Sequence, residues 1–167
     1  MAVSDVRKFF EQHNLSFEIM ELEDSTATVD LAAAAHNVEP DQIAKSIALY
    51  AGEEKFLLVT SGMSRLDNKK FKTAFKAKPR MMTAEDVLEA TGHPVGGVCP
   101  FGLRTDMKIC LDASLKRFET VFPAAGAPNA SIEISPARLQ EITNGTWVDV
   151  CKSPEGSEIT GDAEDAL

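Results

Sequence analysis

Two apolar runs joined by five residues place the strongest constraint on how this chain can fold. Residues 43–50 and 56–60 have the composition of β-strands, and Gly52 lies in the segment between them. This pattern predicts a β-hairpin of two antiparallel strands. Helical and strand-like patterns occur on both sides of it, so we expect one mixed α/β domain built around a sheet.

Capping and stop signals define the helices and strands around this hairpin. Ser, Thr or Pro at the start of a helix, and Asn or Gly at its end, mark the boundaries. The predicted helices run from Ser4 to about Asn14, over residues 29–36, after Gly62 with Leu66, Phe71 and Phe75 on one side, from Thr83 to Gly92, and from Ser135 to about Asn144. The further predicted strands are residues 15–22, 107–112, 120–122, 131–134 and 147–150.

Composition limits the domain organisation. The chain has 167 residues, of which 44% are apolar, enough for one hydrophobic core. We expect a single domain over residues 1–152 and an acidic, flexible tail over residues 153–167, where five acids occur without a base. No apolar run approaches the ~20 residues of a membrane span and no secretory signal is present, so the expected location is the cytoplasm, without a membrane partner. The three cysteines have no metal-binding spacing, which argues against disulfides or zinc.

Charge is distributed unevenly along the chain. Seventeen basic and 26 acidic residues give a net charge of −9, which argues against non-specific binding to nucleic acid, including DNA. Residues 65–80 nevertheless contain seven basic residues and one acid, a local charge of +6 against −15 for the remainder. This stretch is either a solvated helix face or a contact for RNA. The candidate contact residues are Arg65, Lys69, Lys70, Lys72 and Lys76.

Residues 92–102 contain four glycines and two prolines, too many for a regular helix or strand. Glycine lets a ligand approach the main chain, so Gly96 and Gly97 could present backbone N–H and C=O groups to a substrate. Such donors suit a carbonyl that gains negative charge during acyl transfer. The alternative is a tight loop that packs between strands. The spacing matches neither a phosphate-binding loop nor a dinucleotide fingerprint.

Four side chains are candidates for chemistry. Lys45 lies inside a predicted buried strand. A buried ammonium is costly without a partner, so this lysine either binds an anion, takes part in catalysis or reaches water from the strand end. Cys99, with His93 near in sequence, is a candidate nucleophile, although unpaired cysteines mostly serve in packing. Asp112 is a candidate for placing a substrate amine, or simply the solvated end of a strand.

A family resemblance rests on three segments in a fixed order. They are residues 43–47 with Lys45, residues 91–102 with a GxxxP pattern at 96–100, and residues 109–112 ahead of the turn at Gly126. With these segments the chain resembles the YbaK/ProX group of trans-editing aminoacyl-tRNA deacylases, which is similar to the editing insertion of bacterial prolyl-tRNA synthetases. The resemblance implies one α/β domain with a central mixed, barrel-like sheet surrounded by helices.

The resemblance also implies an enzyme that hydrolyses the ester joining a wrong amino acid to tRNA. Lys45 would be the essential residue, and water or a group of the substrate would attack. No metal and no cofactor are implied. The partners would be mischarged tRNA, such as tRNA(Pro) carrying alanine, serine or cysteine, and a prolyl-tRNA synthetase. The implied substrate-binding residues are His93, Gly96, Gly97, Val98, Cys99, Pro100, Phe101, Gly102, Asp112 and Gly126.

The amino acid that is removed stays open at this point. The branch specific for Cys-tRNA has a serine and an aspartate where this sequence has Ala124 and Ser131, so alanine, serine and cysteine all remain candidates. Two other functions compete with the deacylase: a non-catalytic module that binds tRNA or a prolyl-tRNA synthetase, and a hydrolase that uses Cys99. Lys45 together with the whole glycine segment favours the deacylase, because a binding module does not need both.

Overall fold

The computed structural model of the chain describes residues 2–152, so the acidic tail predicted for residues 153–167 lies outside the described residues. The helices are α1 (Ala2–Gln12), α2 (Val29–His36), α3 (Asn68–Phe75), α4 (Ala84–Thr91) and α5 (Pro136–Thr143). The strands are β1 (Met20–Glu21), β2 (Ile43–Ala51), β3 (Glu54–Ser61), β4 (Arg65–Leu66), β5 (Pro79–Met81), β6 (Lys108–Asp112), β7 (Phe122–Pro123), β8 (Ala130–Ser131), β9 (Thr146–Val148) and β10 (Cys151–Lys152). Short 3-10 helices, Pro40–Gln42 and Ala113–Arg117, precede β2 and follow β6.

A mixed sheet with the strand order β5-β2-β3-β6-β9 forms the centre of the fold, and β7 also pairs with β2. The β2–β3 pair is the predicted hairpin and is antiparallel. β6 runs parallel to β3, and β9 runs parallel to β6. Two further antiparallel pairs, β1 with β8 and β4 with β10, lie outside this sheet. The predicted single α/β domain with a mixed sheet is therefore confirmed.

Local capping explains where four of the helices begin and end. Backbone N–H groups in the first turns of α2 to α5 donate to the side chains of Thr28, Asp67, Thr83 and Ser135. The same helices end at residues with a left-handed backbone, namely Asn37, Lys76, Gly92 and Asn144. The signals at Thr28, Thr83, Gly92, Ser135 and Asn144 are the ones from which the sequence predicts these helices.

The basic stretch does not form a single helix face, and the helical assignment of its first residues is wrong. Arg65 and Leu66 form β4, which pairs with β10. The helix starts later, because the Asp67 side chain caps α3 by accepting hydrogen bonds from the N–H groups of the next turn. The proposed contact residues are nevertheless all exposed: Arg65, Lys69, Lys70, Lys72 and Lys76.

The strand predicted for residues 15–22 is present only as β1. Leu15, Phe17 and Ile19 do pack against the main core, so their alternation in the sequence reflects burial. Strand pairing in this segment, within the part of the chain that the structure describes, is limited to Met20 and Glu21 with β8. The other short strands differ from their predicted bounds by one to three residues.

The main core connects α1 to the glycine-rich segment and the sheet. The rings of Phe10 on α1 and Phe101 lie 5.2 Å apart between centroids, and both residues are buried with Cys99 and Leu111. This packing anchors the second half of the glycine-rich segment, whereas Val95 in its first half is exposed. Within residues 2–152, no helix is both long and apolar enough to cross a membrane.

Candidate active site

The candidate site lies where β2 lacks a strand partner along part of one edge. On the other edge, β3 pairs with nearly the whole strand. On the open edge β7 pairs with the first residues of β2 and β5 with the last, which leaves residues 45–47 between them. Ala48 O accepts a hydrogen bond from Met82 N on this edge. Because backbone groups of alternate residues point to the same edge of an antiparallel strand, the N–H and C=O of Ser46 also point into this gap.

A cavity of about 310 Å³ lies against the gap. Residues 43–48 of β2 all line it. Successive side chains of a strand point to opposite faces, and a cavity at the strand edge can contact side chains of both faces. The rest of the wall comes from residues 26–28 with the start of α2, the end of β5, α4, the glycine-rich segment, β7 and β8. The glycine-rich segment contributes Val95, Gly96 and Val98, and β8 contributes Ser131. Of the described residues that line this cavity, none is acidic, and many are small: Ala27, Ala32, Ala44, Ala48, Gly96 and Ala124.

Lys45 supplies the positive charge of this cavity. Its Nζ donates a hydrogen bond to the carbonyl oxygen of Ser64 at 2.7 Å. An ammonium has three N–H donors, so two are available to a substrate within the described part of the chain. Burial lowers the pKa of Lys45 and Arg65 acts in the same direction, whereas the carboxylate of Asp41 opposes them. The side chain is therefore a partly desolvated donor held at one end of the gap.

A buried polar network holds the carbonyl that anchors Lys45. The hydroxyls of Ser61 and Ser64 lie 2.6 Å apart, and both residues are almost completely buried. Arg117 donates to the Ser61 hydroxyl at 3.2 Å and forms an ion pair with Asp41. Asp41 in turn accepts a hydrogen bond from the backbone N–H of Met63. These contacts fix the turn after β3 and, through the Ser64 carbonyl, the position of the Lys45 ammonium.

Gly96 and Val98 bring the glycine-rich segment to the same cavity. Gly96 has φ +96°, a backbone conformation that favours glycine, and it approaches Ala27 closely. Gly97 lies behind the cavity wall, where its carbonyl oxygen accepts a hydrogen bond from the N–H of Gly126 at 2.9 Å. The predicted contact residues Gly96, Val98 and Lys45 thus meet at one cavity, with Gly97 and Gly126 supporting them.

Three other predicted residues of this segment are buried in the protein interior. His93, Cys99 and Phe101 have no exposed surface. His93 Nε2 lies 2.8 Å from the Phe101 carbonyl oxygen and 3.6 Å from the sulfur of Cys99. Burial raises the pKa of the Cys99 thiol to about 12. A protonated, enclosed thiol is not an available nucleophile, so the geometry gives Cys99 a packing role.

Three further predicted residues lie away from the cavity. Pro100 and Gly102 line a different cavity, which also includes Phe9 of α1. Asp112 is 2% exposed, and its carboxylate accepts hydrogen bonds from the backbone N–H groups of Ser114 and Val150. That carboxylate joins the end of β6 to the chain before β10, and a substrate amine would have to displace these bonds. We therefore restrict the proposed direct contacts to Lys45, Gly96 and Val98.

Two polar groups of the cavity wall are absent from the predicted site residues, although the resemblance marked Ser131 as a position where the branch specific for Cys-tRNA differs. Ser46 lines the cavity, and its buried hydroxyl has no hydrogen-bond partner among the described residues. Ser131 also lines the cavity, and its hydroxyl lies 2.7 Å from Nε2 of His36 on α2. Ser46 directly follows Lys45, so its position was available from the sequence once the strand edge was known. The His36–Ser131 contact joins residues far apart in the chain and left no sequence signal.

The fold and cavity agree with a protein family. The family model for the aminoacyl-tRNA editing domain matches residues 23–142, so the chain belongs to this family. That match confirms the family resemblance and includes β2, the glycine-rich segment and β8. The chain is therefore an aminoacyl-tRNA editing domain by descent.

Individual relatives and a solved structure agree with the aminoacyl-tRNA editing family. The chain is 45% identical over 157 residues to the uncharacterized protein YwhH of Bacillus subtilis, covering 93% of this chain and 100% of YwhH. It is 22% identical over 151 residues to EbsC of Enterococcus faecalis, provisionally named a Cys-tRNA(Pro)/Cys-tRNA(Cys) deacylase, covering 88% and 92% of the two chains. A solved structure described provisionally as a trans-editing enzyme for prolyl-tRNA synthetase superimposes with a TM-score of 0.84 at 31% identity, covering 91% of this chain and 98% of the other.

Proposed function

We propose that this chain is an aminoacyl-tRNA deacylase that acts in trans on tRNA(Pro) carrying a small amino acid such as alanine, serine or cysteine. The observation that carries the proposal is that Lys45 lines a small cavity together with Gly96 and Val98. The names given to EbsC and to the similar solved structure support an activity of this kind and a link to prolyl-tRNA synthetase.

The chemistry needs donors for a carbonyl oxygen that becomes negative. Lys45 offers two N–H groups, and the backbone N–H of Ser46 points into the same gap. Preorganised donors of this type stabilise the tetrahedral intermediate of ester cleavage. Water attacks the ester carbon, the bond from that carbon to the ribose oxygen breaks, and the departing ribose oxygen takes a proton. Attack by the neighbouring ribose hydroxyl would first move the aminoacyl group to that hydroxyl oxygen, and water would then cleave the new ester in the same way. When water is the nucleophile, free amino acid and tRNA leave directly.

Cavity size supports a small aminoacyl group. About 310 Å³ is at the lower end of the ~300–1,000 Å³ that ligand pockets span. Alanine side chains and Gly96 line much of it, so a bulky side chain would meet backbone or Cβ atoms. Exclusion by size separates amino acids differing by one methylene by only ~1–3 kcal/mol, so related small amino acids should share the site.

A deacylation panel tests this proposal. Purified protein is mixed with tRNA(Pro) charged with alanine, serine, cysteine, threonine or the cognate proline, and the remaining ester is followed over time. We expect at least one of the small amino acids to be removed about 100-fold faster than proline, which is the order of selectivity that pocket size alone supplies. Hydrolysis of none of them would contradict the deacylase and favour a binding module for tRNA or prolyl-tRNA synthetase.

The exposed lysines of α3 give a second prediction. Lys70 is unsuitable for it, because its Nζ already bonds Asp149 and the carbonyl oxygen of Cys151. Lys69→Glu and Lys72→Glu should each weaken tRNA binding and reduce the salt slope of log K by about 1 for each phosphate that the protein then fails to neutralise. Fluorescence titration of tRNA at several salt concentrations measures this slope. The control is Lys8→Glu on α1, and equal effects of all three changes would mean that α3 is an ordinary solvated surface.

A further inference from the structure

Ser131 and His36 form a polar pair at the cavity that the proposed chemistry does not use. Ser131 is 3% exposed and lines the cavity, and its hydroxyl lies 2.7 Å from His36 Nε2. The His36 ring stacks on Phe122, with centroids 4.5 Å apart, and Phe122 lines the same cavity. The imidazole is thus fixed by α2 on one side and by the Phe122 ring on the other.

The protonation state of His36 determines whether the Ser131 hydroxyl donates or accepts the hydrogen bond between them. Burial lowers the pKa of His36, while the carboxylate of Glu133 acts in the opposite direction. A neutral imidazole has one nitrogen that accepts a hydrogen bond, and in the tautomer with its hydrogen on Nδ1 that nitrogen is Nε2, which then takes the hydrogen of the Ser131 hydroxyl. The serine oxygen then presents its lone pairs to the cavity, and donation to the histidine makes it a stronger acceptor.

A substrate of this site carries a group that needs such an acceptor. Every aminoacyl ester has an α-amino group, yet the described residues lining the cavity include no carboxylate to receive it. The donors for the ester lie on β2, whereas the acceptor belongs to a different strand of the cavity wall, β8. We propose, on the basis of the proposed deacylase function, that Ser131 oriented by His36 accepts a hydrogen bond from the free α-amino group. The enzyme would then reject tRNA whose amino acid lacks that group.

Two modified substrates test the proposal. Alanyl-tRNA(Pro) is compared with N-acetylalanyl-tRNA(Pro) and with lactyl-tRNA(Pro), in which a hydroxyl replaces the amino group without added bulk. We expect kcat/KM to fall about 10-fold for both modified esters, because each replaces a hydrogen bond from a charged ammonium by a weaker one from a neutral donor. Equal rates for all three esters would overturn the inference. Absence of hydrolysis for every ester, with serine and cysteine esters included, would instead contradict the deacylase.

Variants of the pair separate recognition from folding. Ser131→Ala should lower kcat/KM for alanyl-tRNA(Pro) about tenfold or more and bring it near the rate for lactyl-tRNA(Pro). His36→Phe keeps a ring against Phe122 but removes the acceptor, and should reduce the preference for the amino ester. His36→Gln retains a hydrogen-bond acceptor and should therefore retain part of the preference for the amino ester. If the variants lower the rates for amino and hydroxy esters by the same factor, the pair has a structural role and the proposal fails.

Discussion

Lys45→Ala is expected to lower kcat/KM for deacylation about 100- to 1,000-fold, the range for removing one donor that stabilises a developing oxyanion. Among residues 2–152, the Lys45 side chain makes one hydrogen bond, to the carbonyl oxygen of Ser64. Its loss should cost only about 1 kcal/mol of unfolding free energy. Single-turnover hydrolysis of mischarged tRNA and urea denaturation measure the two effects separately.

Lys55→Ala is the matched control for this change. Lys55 lies on β3 in the same hairpin, is partly buried and donates one hydrogen bond from Nζ to Thr105 at 3.1 Å, but it does not line the cavity. Its substitution should leave kcat/KM unchanged. A fully active Lys45→Ala variant would remove the basis of the proposed function, and an equal loss in both variants would indicate a general disturbance of the hairpin.

The pH dependence of deacylation gives a further test of the role of Lys45. Because burial lowers the pKa of Lys45, its ammonium is lost at a lower pH than that of an exposed lysine. Activity that depends on the ammonium is present below this pKa and declines as the pH rises through it. After subtraction of uncatalysed hydrolysis, this decline should be absent from the residual activity of Lys45→Ala.

Gly97→Ala is expected to destabilise the protein by about 3 kcal/mol or more and to remove most activity. A Cβ at this position would lie 2.5 Å from the backbone N of Ala127 and 2.7 Å from its Cα. These are main-chain atoms of the turn that also bonds Gly97 through Gly126, so they cannot move aside without separating the two segments. The displacement would carry Gly96 and Val98 away from Lys45.

Gly52→Ala separates this steric effect from the general cost of replacing glycine. Gly52 has φ +65° in the β2–β3 turn, and an added Cβ there would have no atom within 4 Å. Only backbone strain of about 1–2 kcal/mol is expected. Denaturant unfolding of both variants compares them directly, and equal stabilities would show that the close approach of Gly97 to Ala127 does not occur in solution.

The hairpin, the helix caps and Lys45 were predictable because each depends on residues close together in sequence. Thr28 and Thr83 each accept a hydrogen bond from an N–H group three residues away, so their capping roles are visible in a short stretch of sequence. The glycine-rich segment was also found from composition. Composition did not show which residues of this segment line the cavity and which are buried in the core, because Phe101 is buried by contact with Phe10 of the distant α1.

The walls of the cavity depend on contacts that no local pattern contains. Thr26 is tied to the carbonyl oxygen of Pro128, and His36 meets Ser131 across 95 residues. The absence of a strand partner for residues 45–47 depends on where β5 and β7 end, and both are short strands whose bounds the sequence did not define. Asp112 similarly appeared as a site residue because its bonds to Ser114 and Val150 are visible only after folding.

The open edge of β2 separates the elements that hold Lys45 from those that form the remainder of the cavity wall. β3 and the turn after it hold Lys45, while residues from β5, β7, α2 and the glycine-rich segment form the remaining wall. Substitutions at Met81, Val98 or Ala124 can therefore change the shape of the acyl pocket without altering the hairpin. Under the proposed function, this arrangement would suit redesign toward other amino acids, because much of the pocket wall belongs to residues outside the hairpin that carries Lys45.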